Sequence, residues 1–181
     1  MLIVIDPGHG GKDPGALSLD KRVKESFLTL QLSLALADKL EYQRHEVYLT
    51  RAKDYYPSLS DRCRLANDLD ADFFISIHVN SADSTSATGI ETLVYEKPSN
   101  TTLRYADLIQ KNLIKATKAR DRGIKYRGDL TVLKRTKMPA VLIETGFINN
   151  PSDLAKLVTP DYQNVIVTAI ADVFDPASNI I

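Results

Sequence analysis

Tryptophan is absent from the 181 residues, and cysteine occurs once, at Cys63. A single thiol excludes an internal disulfide and a multi-cysteine zinc site. Net charge is missing too, because 23 basic residues balance 23 acidic ones. That balance argues against a globally basic nucleic-acid binder, so no nucleic-acid partner is expected. No apolar run reaches eighteen residues, so no membrane span is expected. A signal peptide is also not expected. Leu2-Ile3-Val4-Ile5 is too short for one, has no basic region before it and runs directly into Asp6-Pro7-Gly8. The chain is therefore expected to be made without a secretion signal or to be a domain of something longer. What is present is ordinary for a soluble globular protein: 44% hydrophobic and 25% charged residues, in a length that suits one domain with a substantial core.

Short β-like runs alternate with helical segments. Leu2-Ile3-Val4-Ile5 reads as a buried strand, followed by a loop rich in glycine and proline over residues 6–15. A long helix is expected over about residues 22–42, with Val23, Phe27, Leu30, Leu34 and Ala37 on one stripe and Leu28, Leu32, Leu36 and Leu40 on another. Two stripes predict that this helix is largely buried. Val47-Tyr48-Leu49 is the next strand. Ser58 with Asp61 three residues on marks the start of a second helix, ending near Leu69. Phe73-Phe74-Ile75-Ser76-Ile77 is apolar enough for a central strand. Residues 89–95 form another strand, residues 99–118 an amphipathic helix, residues 130–133 a short strand and residues 140–143 an apolar one. Asn150-Pro151 and Thr159-Pro160 each pair an N-cap with a proline at the first helical position. The last helix should end near Phe174, leaving residues 175–181 as a tail or linker. The alternation predicts an α/β fold, a single domain with a mostly parallel sheet flanked by helices on both faces.

Three polar residues sit at or just past the ends of apolar strands: His9, His78 and Glu144. The carboxyl ends of parallel strands form the functional edge of such a sheet. Glu25, at the start of the first helix, can point back to the same edge. Two histidines with one or two carboxylates are a zinc-type donor set, since catalytic zinc takes three protein ligands and keeps one position open. A carboxylate left over can serve as general base in amide hydrolysis. Spacing alone also allows a turn histidine, a strand-end histidine and a helix-dipole glutamate. Glu144 is harder to dismiss, because a carboxylate ending a buried strand must be paired or functional. His45, among charged residues between a helix and a strand, is expected to be solvated.

Four blocks in order carry a family resemblance. Val4-Ile5-Asp6-Pro7-Gly8-His9-Gly10-Gly11 with Asp13-Pro14-Gly15-Ala16 resembles the opening signature of the zinc-dependent N-acetylmuramoyl-L-alanine amidases. Val23-Lys24-Glu25, Ser76-Ile77-His78-Val79-Asn80-Ser81 and the stretch from Pro139 through Glu144-Thr145-Gly146 to Asn150 follow at the family's spacing. The resemblance spans nearly the whole chain and sets the catalytic domain at residues 1–174. It implies a twisted, six-stranded mixed sheet. It implies one Zn2+ held by His9, Glu25 and His78, with Glu144 as the catalytic glutamate. It implies hydrolysis of the amide between N-acetylmuramic acid and L-alanine in peptidoglycan, hence cell-wall lysis. Without a signal peptide the chain is similar to the catalytic domain of a phage endolysin, or to one cut from a larger autolysin-type hydrolase. It would act on the extracellular wall, with a wall-binding domain attached after the tail. One departure stands out: the family often has Asn four residues after the ligand Glu, where this chain has Thr29.

Charge is uneven despite its zero sum. Residues 111–137 hold ten Lys and Arg against Asp121 and Asp129, a local balance of +8. This reads as a solvated helix face and loop, or as a basic flank that attracts anionic wall polymer.

Overall fold

The computed structural model describes residues 1–175. Of the expected tail, all but Asp175 lies outside the described residues. The chain orders as β1 (Leu2–Pro7), α1 (Glu25–Tyr42), β2 (Glu46–Leu49), α2 (Leu59–Asp68), β3 (Phe73–Asn80), β4 (Ile90–Tyr95), α3 (Asn100–Thr117), β5 (Asp121–Arg127), α4 (Thr131–Arg135), β6 (Ala140–Phe147), α5 (Pro151–Leu157) and α6 (Pro160–Ala171). The six strands form one sheet in the order β2-β1-β3-β6-β4-β5. Strands β2, β1, β3 and β6 run parallel, β4 is antiparallel to β6, and β5 is parallel to β4. The expected mostly parallel, mixed six-stranded sheet is therefore present. No helix among the described residues is long and apolar enough to cross a membrane.

Alternating side chains feed two cores. Ile3, Ile5, Phe73, Ile75, Val141 and Ile143 face helices α1, α3 and α6, while Val4, Phe74, Leu93 and Leu142 face α2 and α4. Both faces are covered, which is why β3 reads as a continuous apolar run. On α1, Leu28, Leu32, Leu36 and Leu40 are buried, each such leucine adding roughly 1.5–3 kcal/mol. The stripe of Val23, Phe27, Leu30, Leu34 and Ala37 is only partly buried: Ala37 is covered, but Phe27 is 56% exposed and Leu34 38%. One face of a helix suffices against a single sheet.

Local capping follows the sequence. Ser58 and Asp61 form a reciprocal capping box on α2. Asn150 and Thr159 cap α5 and α6, each with proline in the first turn. Three expectations need correction. Residues 130–133 open the short helix α4 instead of a strand; Leu130 is its N-cap, and Val132 and Leu133 point inward. Strand β5 lay hidden in the basic segment, because an edge strand carries charge in place of a buried apolar face. His45 is buried, not solvated: its Nε2 lies 2.8 Å from the Phe174 carbonyl oxygen and its ring is edge-on to Phe174. The polar neighbours of His45 in sequence say nothing of a contact made 129 residues away.

Candidate metal centre

The loop after β1 is built for close approach. His9 itself takes a left-handed conformation, φ 60°, and Gly10, Gly11 and Gly15 also have positive φ. A Cβ on Gly8 would overlap the imidazole of His78, and one on Gly15 would lie 2.6 Å from Glu25 Oε2 and 2.7 Å from the His9 ring. Only glycine lets the backbone pass this near the side chains it surrounds.

Two buried arginines fix the loop's carbonyls. Arg51 donates Nε to Pro7 O and Nη2 to Gly8 O and Ser26 O. Arg62 donates Nη1 to Pro7 O and to Asp6 Oδ1, each at 2.7 Å, and Nη2 to His9 O at 2.8 Å. Asp6 also accepts from Thr50 and Ser76, so each of its oxygens is satisfied. Thr29, the departure noted above, donates its hydroxyl to Gly8 O at 2.8 Å and accepts from Arg51. It therefore keeps a polar contact to this loop.

Four expected residues converge from four elements. His9 comes from the loop, Glu25 is the first residue of α1, His78 lies in β3, and Glu144 pairs with His78 in register on β6. Both strands run further than expected, so His78 and Glu144 lie within them. Glu25 is buried, with Oε2 3.1 Å from His9 Nε2 and Oε1 2.9 Å from His78 Nδ1. The same two oxygens accept from the backbone N–H of Ala16 and of Val79. Asp13 Oδ2 meets His9 Nδ1 at 2.8 Å and sets the orientation of that ring.

The protonation pattern follows from this packing. Burial opposes charge on His9, but the hydrogen bonds and charges of Glu25 and Asp13 outweigh it and push the pKa up to about 9. His78 rises likewise against its burial, chiefly through Glu25. Burial opposes ionisation of Glu25, yet its bonds to His78 and His9 hold it well below the usual carboxylate range. The carboxylate of Glu25 is thus gripped between the two imidazole rings. The three ligand atoms lie within 4.8 Å of one another. Two imidazoles and one carboxylate in that space fit a zinc-type ion, which requires the neutral imidazoles and the ionised carboxylate.

Glu144 behaves differently. Its Oε2 is buried with no hydrogen-bond partner among the described residues. Burial, reinforced by Glu25 and Glu91 and opposed by His78 and His9, pushes its pKa up to about 7. An unpartnered buried oxygen costs on the order of 1–3 kcal/mol, so its retention points to a partner from outside the protein, such as a water or a substrate atom. A cleft of about 280 Å³ adjoins His9 and His78 and runs between Tyr56 and Leu59 on one side and Asp129 and Leu130 on the other. Asp13, Arg51 and Arg62 escaped sequence reasoning as site residues. Only the Asp four positions after His9 offered a local signal.

The pattern of the N-acetylmuramoyl-L-alanine amidases matches residues 3–174. The sporulation-specific N-acetylmuramoyl-L-alanine amidase of Bacillus subtilis is 41% identical over 180 residues, which cover 98% of this chain and 68% of that protein. The amidase CwlM of Bacillus licheniformis is 42% identical over 157 residues, covering 86% and 60%. This chain thus spans about two thirds of these curated relatives. Among solved structures, an N-acetylmuramoyl-L-alanine amidase from Clostridium difficile 630 superposes with a TM-score of 0.93 at 38% identity, covering 96% of this chain and 94% of that one. The catalytic domain of CwlV from Bacillus (Paenibacillus) polymyxa gives 0.89 at 36%, covering 96% and 95%. Matched in sequence and in backbone over nearly all its described length, the chain belongs to the N-acetylmuramoyl-L-alanine amidase family.

Proposed function

We propose that this chain is a zinc-dependent amidase that cleaves the bond between the lactyl carbonyl of N-acetylmuramic acid and the amino group of L-alanine in peptidoglycan. The carrying observation is the His9–Glu25–His78 triangle with the unpartnered carboxyl of Glu144 beside it, in a chain of this family. His9, Glu25 and His78 would hold the ion, which would supply Lewis acidity toward the scissile carbonyl and the attacking water. Asp13 keeps Nδ1 of His9 occupied, which leaves Nε2, beside Glu25, as the nitrogen that would bind the ion. Glu144 takes the proton of the attacking water on its free oxygen and delivers it to the leaving nitrogen of L-alanine. The substrate is the extracellular wall, and attachment to it by a further module joined beyond Phe174 is part of the same proposal.

Digestion of purified peptidoglycan with and without a chelator tests this reading. Mass analysis should find peptides with a new free L-alanine amino group and intact glycan strands, only when zinc is present. Release of sugar fragments, or digestion indifferent to the chelator, would overturn it. Glu144→Gln should keep its zinc and lose at least about 100-fold in turnover, whereas His78→Ala should lose the metal.

A further inference from the structure

Beside Glu91, the strand neighbour of Glu144, lies an arginine that neither the ligand set nor the proton transfer uses. Strand β4 places Glu91 directly opposite Glu144 on β6. One strand further out, β5 carries an irregularity where residues 121–124 run against residues 90–92 of β4, and Arg122 stands in it. Its Nε donates to Glu91 Oε2 at 2.8 Å, and Glu91 is itself held by Asn80 Nδ2 at 3.0 Å. The guanidinium carbon sits 4.9 Å over the ring of Phe147. Arg122 is therefore clamped at its inner nitrogen and across its plane. Nη1 and Nη2 carry no hydrogen bond among the described residues, and the side chain remains 28% exposed. A planar fork held this way, with its outer edge open, is a receptor for a carboxylate, which it can bind through two parallel N–H···O bonds. Its restraints are already in place, so little side-chain entropy is lost when a ligand arrives.

We propose that Arg122 is a specificity-determining residue that binds the α-carboxylate of the second residue of the peptide stem. The inference rests on the amidase reading above, and its length scale agrees with it. Two strand spacings put the Arg122 backbone about 10 Å from that of Glu144, and the side chain reaches back toward Glu91. A peptide advances about 3.4 Å per residue when extended, so a carboxyl on the residue after L-alanine lies roughly 7 Å past the scissile amide. In peptidoglycan that residue is a D-glutamate joined onward through its γ-carboxyl. Its α-carboxyl is free or is capped as the amide. The free acid offers Arg122 two charged acceptors; the amide offers one neutral acceptor and a donor the arginine cannot use.

The test compares two soluble N-acetylmuramoyl tripeptides that differ only in this α-carboxyl, free or amidated. The wild-type, zinc-loaded protein should show a KM about tenfold lower for the free acid. Arg122→Gln should bring the two KM values within twofold by raising that of the acid alone, with kcat on the amidated substrate little changed. Arg122→Lys should restore part of the preference through charge without the fork. Equal KM values in the wild type would overturn the proposal. So would a parallel rise of both in Arg122→Gln, which is what a purely structural partner of Glu91 would give. If the wild type cuts neither substrate, the amidase reading itself fails. Calorimetric titration with the corresponding free tripeptides then decides the inference alone, with equal affinity for acid and amide counting against it.

Discussion

At the scale of single residues, the site is a set of groups held away from their solution behaviour by named neighbours. Glu144 is the sharpest case. Its carboxyl is raised from 4.5 to about 7 by burial and by Glu25 and Glu91. A raised carboxyl pKa means that the folded state binds the proton more tightly, so the group withdraws stability as pH climbs from about 4.5 through 7. Glu144→Gln removes that charge at constant shape. In metal-free protein at pH 8 it should stabilise the fold by roughly 3 kcal/mol, an order-of-magnitude conversion of the shift. Urea unfolding of both proteins checks it, and an unchanged midpoint would mean that the carboxylate is better solvated than its burial indicates. Activity should fall by contrast, the usual opposition between stability and function at a strained site. Asp13 acts through His9: Asp13→Ala should weaken zinc binding by about 10- to 100-fold, read by competition with a chromogenic chelator, with little loss of fold.

At the scale of elements, the loop from β1 keeps its course because side chains from β2's end and α2 reach across to it. Arg62 neutralises Asp6 and holds two carbonyls from within the protein. Removing one partner of such a buried pair strands the other, so Arg62→Ala should cost about 3–5 kcal/mol. Ser58→Ala, which opens only the capping box of α2, should cost about 1 kcal/mol. Chemical denaturation of the two variants side by side gives the comparison. The same elements show what was legible beforehand. Caps were readable, since they are local: Ser58 with Asp61, Asn150 with Pro151 and Thr159 with Pro160 all stand where expected. Strand β5 was not, because its sequence DRGIKYR lacks the apolar alternation that marks a half-buried strand. His9, Glu25 and His78 lie together with Glu144 paired to His78, on elements that apolar runs mark, whereas the roles assigned to them rest on the four-block resemblance and not on spacing. Arg51 and Arg62 remained hidden because burial of a charge depends on carbonyls contributed from distant parts of the chain.

For the whole molecule, protons and the proposed zinc ion would compete for one set of atoms, those of His9, Glu25 and His78. In the metal-free protein His9 has a pKa of about 9 against 6.5 unfolded, so its contribution to stability is complete below about pH 6.5 and lost as pH rises through 9. Glu25 is depressed, so its contribution holds above its unfolded value of 4.5 and is lost only in acid. Glu144 withdraws stability over the window from 4.5 to 7. Together the three place the optimum of the metal-free fold near pH 4.5, where the gain from Glu25 and the loss from Glu144 cancel, with a steady loss toward pH 9. Zinc bound as proposed would reverse the alkaline limb, because it needs neutral imidazoles and binds more tightly as the protons leave. At a hundredfold excess over its Kd the ion adds about 2.7 kcal/mol, which in a chain of this size corresponds to some 5–10 °C in Tm. The difference in Tm between zinc-loaded and chelated protein at fixed zinc should therefore widen from pH 6 to pH 8.5. Calorimetric scans across that range measure it directly. A gap that stays constant or narrows would mean that the ion does not displace protons from His9 and His78, and so does not sit where the histidines meet Glu25.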